Sequence, residues 1–201
     1  LPQQDPAEIR SKVVLSISTD KASKGRSAEM NDAFAEISGF LKEAVAMRRR
    51  EPADDLITRL AEAEIDGDAL SEREIVLTTA MFVVAGVESL SSFMSIFAMN
   101  LAQMADVQDA LRKDPALMKP AIEESLRFNT SAQRFKRVLT RDVELHGQQM
   151  RKGDFVVLAY GSANRDERQF PDADSYDLHR NPKGHLGFGT GKHFCIGNDF
   201  A

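Results

Sequence analysis

The chain has 201 residues, with 26 Lys and Arg against 31 Asp and Glu for a formal net charge of −5. That length suits one domain or one large part of a domain, and 42% hydrophobic with 28% charged residues is an ordinary globular composition. No sustained basic stripe is present, so nucleic-acid binding is not expected, and no stretch reaches the ~18 unbroken apolar residues of a membrane span. The single cysteine, Cys195, excludes an intrachain disulfide and fits a reducing, cytoplasmic setting. The chain opens on Leu1, not on methionine, and both of its ends read as cut.

In chain order, Asp5-Pro6-Ala7-Glu8 is a helix start, with an acidic cap and proline in the first turn. The polar stretch Ser16 to Ser27 predicts an exposed loop. Ala28 to Arg50 predicts a long amphipathic helix, with Met30, Phe34, Ile37, Leu41, Ala44 and Val45 on one stripe. Arg48-Arg49-Arg50 ends that helix, where cations complement its dipole. Pro52 introduces a short helix over Ala53 to Ala63, and Asp66-Gly67-Asp68 is a tight turn. Ser71-Glu72-Arg73-Glu74 is a capping box that launches the longest helix, to about Met104. Asp114-Pro115 starts another. After Arg134 the pattern becomes β, with loose alternation over Arg137 to His146, a turn at Gly147-Gln148 and a short buried strand at Phe155 to Leu158. Pro171-Asp172 and Asn181-Pro182 punctuate a final coil.

Three groups of residues stand out. In the longest helix, Ala85-Gly86-Val87-Glu88-Ser89 places a glycine mid-helix, where it costs ~1 kcal/mol relative to alanine. Close approach of a flat ligand is one reason to accept that cost. Phe82, Gly86, Ser89 and Phe93 share a helical face, and Glu88 adds an ionisable group beside the Ser89 hydroxyl. In the next helical region, Glu124 and Arg127 lie three apart. Near the end, Phe188-Gly-Thr-Gly-Lys-His-Phe-Cys-Ile-Gly197 surrounds Cys195 with Gly187, Gly189, Gly191 and Gly197. Glycine permits the positive-φ conformations that turn amides toward one point, and amides aimed at a sulfur stabilise a thiolate.

The pattern Phe-Gly-x-Gly-x-His-x-Cys-x-Gly, with the segments before it, resembles the cytochrome P-450 family, most closely its soluble bacterial branch. The resemblance covers nearly the whole chain and implies a mainly α fold with a small β region. It would be a partial P-450 domain over 1–201, running from the lid helices through the Cys-ligand loop. Within it, 1–133 would be the helical part with the long oxygen-binding helix, and 134–201 the short strands, meander and Cys loop. Ala85-Gly86-Val87-Glu88-Ser89 resembles the oxygen-activation motif Ala/Gly-Gly-x-Asp/Glu-Thr, with Ser89 in place of threonine. Glu124-x-x-Arg127 and Arg180, in Pro171-Asp-Ala-Asp-Ser-Tyr176-Asp177-Leu-His-Arg180, resemble the family's buried charge network. Tyr176 stands where phenylalanine is usual, and Asn164-Arg165-Asp166 matches a structural motif.

What the resemblance implies is a haem b (iron protoporphyrin IX) cofactor ligated by Cys195. Arg137 and His193 would meet the propionates, and Phe188 and Gly189 would pack near the sulfur. Thiolate donation favours O–O cleavage. The implied activity is a monooxygenase that uses O₂ and electrons from a ferredoxin or flavin-type donor to hydroxylate an apolar small organic substrate. Ser89 would act on the oxygen side and Glu88 would relay protons. A haem-binding sensor or carrier without oxidation, and a peroxide-driven peroxygenase, are the alternatives. The acid–hydroxyl pair Glu88-Ser89 points away from both.

Overall fold

The computed structural model describes residues 5–17 and 27–200. The chain divides into two compact units, Leu1–Glu88 and Ser89–Ala201, and one long helix runs through the division. The fold is mainly helical with a small β region, as expected, and among the described residues the strands form three two-stranded sheets.

In the first unit, helix α1 (Pro6–Ile17) starts at the predicted cap, where Asp5 accepts the Ala7 amide at 2.9 Å. Of the loop expected over 16–27, residues 18–26 lie outside the described residues. Ser16 and Ile17 instead complete α1, with Ser16 buried. Helix α2 (Ala28–Arg50) has the predicted limits, and Ser27 caps it by accepting the Met30 amide. Its predicted stripe is buried except for Phe34, which is only partly covered, while Ala33 is buried beside it. Helix α3 (Leu56–Glu62) begins later than Ala53, because the Asp55 carboxylate accepts the Thr58 amide and sets the start. Asp66 and Gly67, at φ 55° and 89°, turn strand β1 (Glu64–Ile65) into β2 (Asp68–Ala69). Val13, Ile37, Leu41, Val45, Ile57 and Ile75 form the centre of this unit's core.

Helix α4 (Glu72–Gln103) is launched by the predicted capping box. The Glu74 amide donates to Ser71 Oγ at 3.3 Å, and the Ser71 amide donates to Glu74 Oε2 at 2.8 Å. By length and composition alone, α4 is long and apolar enough to cross a membrane. The helix still contains no unbroken apolar run of that length; its average is high because scattered Thr and Ser and, beyond the first turn, one Glu barely dilute it. A helix apolar nearly all round suits either a membrane or the centre of a larger fold.

In the second unit, α5 (Ala105–Lys113) is followed by a single 3₁₀ turn at Pro115–Leu117 and by α6 (Met118–Phe128). Asp114 caps the 3₁₀ turn by accepting the Ala116 amide. Strand β3 (Phe135–Val138) pairs antiparallel with β6 (Phe155–Leu158), and β4 (Val143–Leu145) with β5 (Gln148–Met150). The β4–β5 turn is His146-Gly147, both at positive φ, which matches the twist of a tight hairpin. Strand β6 is not buried as expected, since Phe155 is 64% exposed; a two-stranded ribbon cannot cover both of its own faces. A one-turn helix α7 (Tyr160–Ala163) is too short to leave any periodic pattern in the sequence. Val107, Leu111, Ala121 and Leu178 are the core here.

Candidate functional site

Helix α6 sets the foundation. Glu124 and Arg127, one turn apart, are both fully buried and form a two-pronged ion pair, Nε to Oε2 at 2.9 Å and Nη2 to Oε1 at 2.7 Å. Arg127 also donates to the carbonyls of Asn164 (2.9 Å), Ala173 (2.8 Å) and Ser175 (3.1 Å). These five bonds match the five N–H donors of a guanidinium, so no donor is stranded in the interior. Glu124 accepts further bonds from the Asp177 amide and from Arg180 Nε at 3.1 Å. Arg180 in turn reaches the carbonyls of Pro171 and Asp172. The three residues read from the sequence as a buried charge network thus meet at one point.

Tyr176 adds a feature not read from the sequence. Its hydroxyl donates to the Ala121 carbonyl at 2.8 Å and pairs with Ser125 Oγ at 3.0 Å, tying the meander to α6. Burial raises its pKa, against the Ser125 hydrogen bond. The signal was the tyrosine itself, since a covered phenol needs a partner.

The cluster reaches the Cys195 loop through Asn164, buried, whose Oδ1 accepts the Leu186 amide at 2.6 Å. Arg165 lies 3.8 Å over the Phe128 ring and donates to the Phe128 carbonyl at 2.7 Å. Asp166 is held at a pKa of about 2 by its hydrogen bonds to Arg168. Asn164-Arg165-Asp166 is therefore structural, as expected.

In the loop itself, Gly189 and Gly191 sit at φ 72° and 67°. Gly187 and Gly197 do not take positive φ. Gly187 is required by proximity instead: a Cβ there would stand 3.0 Å from the Leu126 carbonyl. The Cys195 amide donates to the Phe188 carbonyl at 2.9 Å, and the Phe194 amide to the Gly191 carbonyl at 3.0 Å. These amides are spent on carbonyls, so they do not converge on the sulfur. Cys195 is half-buried and unpaired.

The structure gathers Phe188, Gly189, His193 and Cys195 in this one loop. The Phe188 ring lies between His185 and Phe194, at centroid distances of 6.3 and 6.4 Å. His193 closes the exposed 3₁₀ turn Gly191–His193. Arg137 is on β3, half-buried, paired opposite Val156. That strand reaches the loop indirectly: Phe135 packs on Tyr160, and Tyr160 lies 3.6 Å from a Cβ placed on Gly189.

Ala85, Gly86, Glu88 and Ser89 occupy the middle turns of α4, which stays helical throughout. A Cβ placed on Gly86 would meet no atom within 4 Å, so no neighbour in the chain demands that glycine. Phe93, from the same predicted face, is buried and stacks on Phe97, whereas Gly86 and Ser89 are exposed.

The Cys195 loop fits a haem. Among the described residues no group of three His, Cys, Asp or Glu could enclose a metal. An ion on Cys195 would need its other ligands from a bound macrocycle, for which one sulfur beside an aromatic ring and thin backbone is the right donor set.

The sequence profile described as Cytochrome P450 matches residues 17–201, and the chain belongs to the cytochrome P450 family. It is 40% identical over 170 residues to a steroid C26-monooxygenase of Mycobacterium tuberculosis, covering 85% of this chain and 46% of that protein. It is 38% identical over 173 residues to a linalool 8-monooxygenase of Pseudomonas putida, covering 86% of this chain and 43% of the relative. Among solved structures, substrate-free CYP109E1 of Bacillus megaterium superposes with a TM-score of 0.88 at 27% identity, covering all of this chain and 53% of that one. P450BioI in complex with a ligated acyl carrier protein gives 0.89 at 31% identity, covering 98% and 52%. The chain spans about half the length of the curated relatives it matches. Family membership implies a haem-thiolate cofactor.

Proposed function

We propose that this chain supplies the thiolate side of a haem monooxygenase, in which the Cys195 sulfur would hold the iron. The observation that carries this reading is a lone cysteine on a loop with two positive-φ glycines, anchored to a buried Glu124–Arg127 pair, in a chain of this family. When bound, a haem with a thiolate ligand supplies O–O cleavage. The chain's own residues do the rest. The Cys195 sulfur holds the iron, Phe188 shields it from water, and Gly189 keeps the adjoining backbone thin. Arg137 and His193 donate to propionate carboxylates, where charge-assisted bonds are strongest. Ala85 and Gly86 leave a side-chain-free notch on α4. Ser89 holds a proton at its hydroxyl, and Glu88 passes protons inward from solvent.

The cofactor is haem b, and the substrate is a small apolar organic molecule that is hydroxylated at the expense of O₂. Relatives named for a steroid and for linalool support that substrate class. Electrons arrive singly from a ferredoxin or flavin-type donor. Residues 1–201 form part of one domain, with 1–133 and 134–201 as its helical and β-plus-loop portions. The unpaired Cys195 supports a cytoplasmic setting. In the full-length protein, Cys195→Ser should abolish the thiolate-type Soret band of the reduced carbon monoxide complex while leaving the far-ultraviolet dichroism intact. Survival of that band would overturn the ligand assignment.

A further inference from the structure

His185 sits at the stem of the Cys195 loop with its side chain only 9% exposed, and both ring nitrogens are engaged. Nδ1 accepts the Gly187 amide at 3.0 Å, and Nε2 stands 3.1 Å from Glu123 Oε2. An acceptor at Nδ1 places the ring hydrogen on Nε2, which donates to Glu123. Glu123 is on α6, directly before Glu124 of the buried cluster. The stem is pressed close against both partners. A Cβ on Gly187 would lie 2.9 Å from His185 Nδ1 and 3.0 Å from the Leu126 carbonyl.

The preceding amide, of Leu186, is taken by Asn164. Two consecutive stem amides are therefore held by side chains, one rooted in the Arg127 cluster and the other in Glu123. The two bonds anchor the successive peptide units on either side of the Leu186 Cα, so the stem is held at both ends of that residue and cannot swing about a single bond. The ring of His185 also flanks Phe188, whose carbonyl holds the Cys195 amide.

We propose that His185, oriented by Glu123, is a positioning residue that sets the direction from which Cys195 presents its sulfur. The proposal rests on the reading of Cys195 as a haem ligand. It is tested in the full-length holoprotein by amide exchange at Gly187 together with the electron paramagnetic resonance of the ferric state. His185→Phe keeps the ring and removes both hydrogen bonds. It should speed Gly187 exchange about tenfold, the worth of roughly one net hydrogen bond, and split or broaden the low-spin resonance. His185→Asn, which returns an acceptor near the Nδ1 position, should restore exchange to within about threefold of the parent. Unchanged exchange and an unchanged resonance in His185→Phe would overturn the proposal. If His185→Phe does not fold, His185→Asn and His185→Gln decide, since Gln moves the acceptor away from Gly187; equal exchange in the two would overturn it. A parent protein with no thiolate-type spectrum would remove the ligand reading and with it the role assigned to His185. That failure is separable, because the exchange measurement does not depend on the spectrum.

Discussion

A glycine can be required by torsion or by proximity, and the Cys195 loop contains both kinds. Gly191 takes φ 67° with open space where a Cβ would go, so Gly191→Ala should cost about 1–2 kcal/mol through torsion alone. Gly187 has ordinary torsion but is pressed against the Leu126 carbonyl, a backbone atom that cannot swing aside. Gly187→Ala should therefore displace the loop and lower haem retention more than Gly191→Ala does, as measured by haem content and thermal melting. Ser89 gives a separate test of the proposed chemistry. Ser89→Ala should preserve the reduced carbon monoxide spectrum yet lower product formed per NAD(P)H, with hydrogen peroxide released instead. Ser89→Thr should be tolerated, and Glu88→Gln should slow turnover and change its solvent isotope effect. Unchanged coupling in Ser89→Ala would remove the proton-handling role. At this scale the sequence singled out Cys195 as the candidate ligand, and it revealed the buried Glu124–Arg127 pair, because both stand in short recognisable patterns. It marked Asn164 as structural without revealing its partner Leu186, and it did not reveal His185, because the contacts with Leu186 and Glu123 are identifiable only once the chain has folded back.

Helices were legible where a cap and a hydrophobic period agree, as at Ser71 and Ser27. They were not where a single side chain chose the start, as Asp55 does for α3. That cap also carries a pH dependence. The backbone amide of Thr58, and then Arg48, hold the Asp55 carboxylate below its usual pKa. A depressed folded-state pKa contributes stability that is complete above the unfolded carboxylate range and is lost as pH falls from there through the lower folded-state value. The melting temperature of the first unit should fall on acidification, and Asp55→Asn, a good cap without a charge, should flatten that slope. In α6 the larger effect is burial. Arg127→Ala would leave Glu124 charged in the interior and should cost roughly 3–5 kcal/mol, together with haem incorporation. Normal stability and haem content in that variant would show that the buried pair contributes little to folding or haem retention.

Over the whole chain, the family was legible because its motifs recur in the right order. Exposure was not, since burial depends on what surrounds the chain. Phe155, Ile196 and Phe200 are 64%, 77% and 93% exposed, and α4 shows Met81, Leu90, Met94 and Met99 on its surface. Such apolar area on a chain spanning half its relatives' length marks surface that calls for a covering partner. The 201-residue chain expressed alone should bind an apolar dye and elute as an oligomer, while the full-length protein should do neither. A dye-silent monomer would show that these side chains are satisfied as they stand.

Arg127 finds its carbonyl partners 37, 46 and 48 positions further along the chain. Until that stretch closes, the guanidinium keeps its water, and once closed it cannot give up one partner without stranding a donor beside the Phe170 ring. The irregular coil from 164 to 175 should therefore behave kinetically like part of a helix bundle, exchanging its slow amides in one step with α6. Refolding of the second unit would wait on closure of that long loop, so a chain nicked between α6 and Asn164 should regain structure markedly more slowly than the intact one.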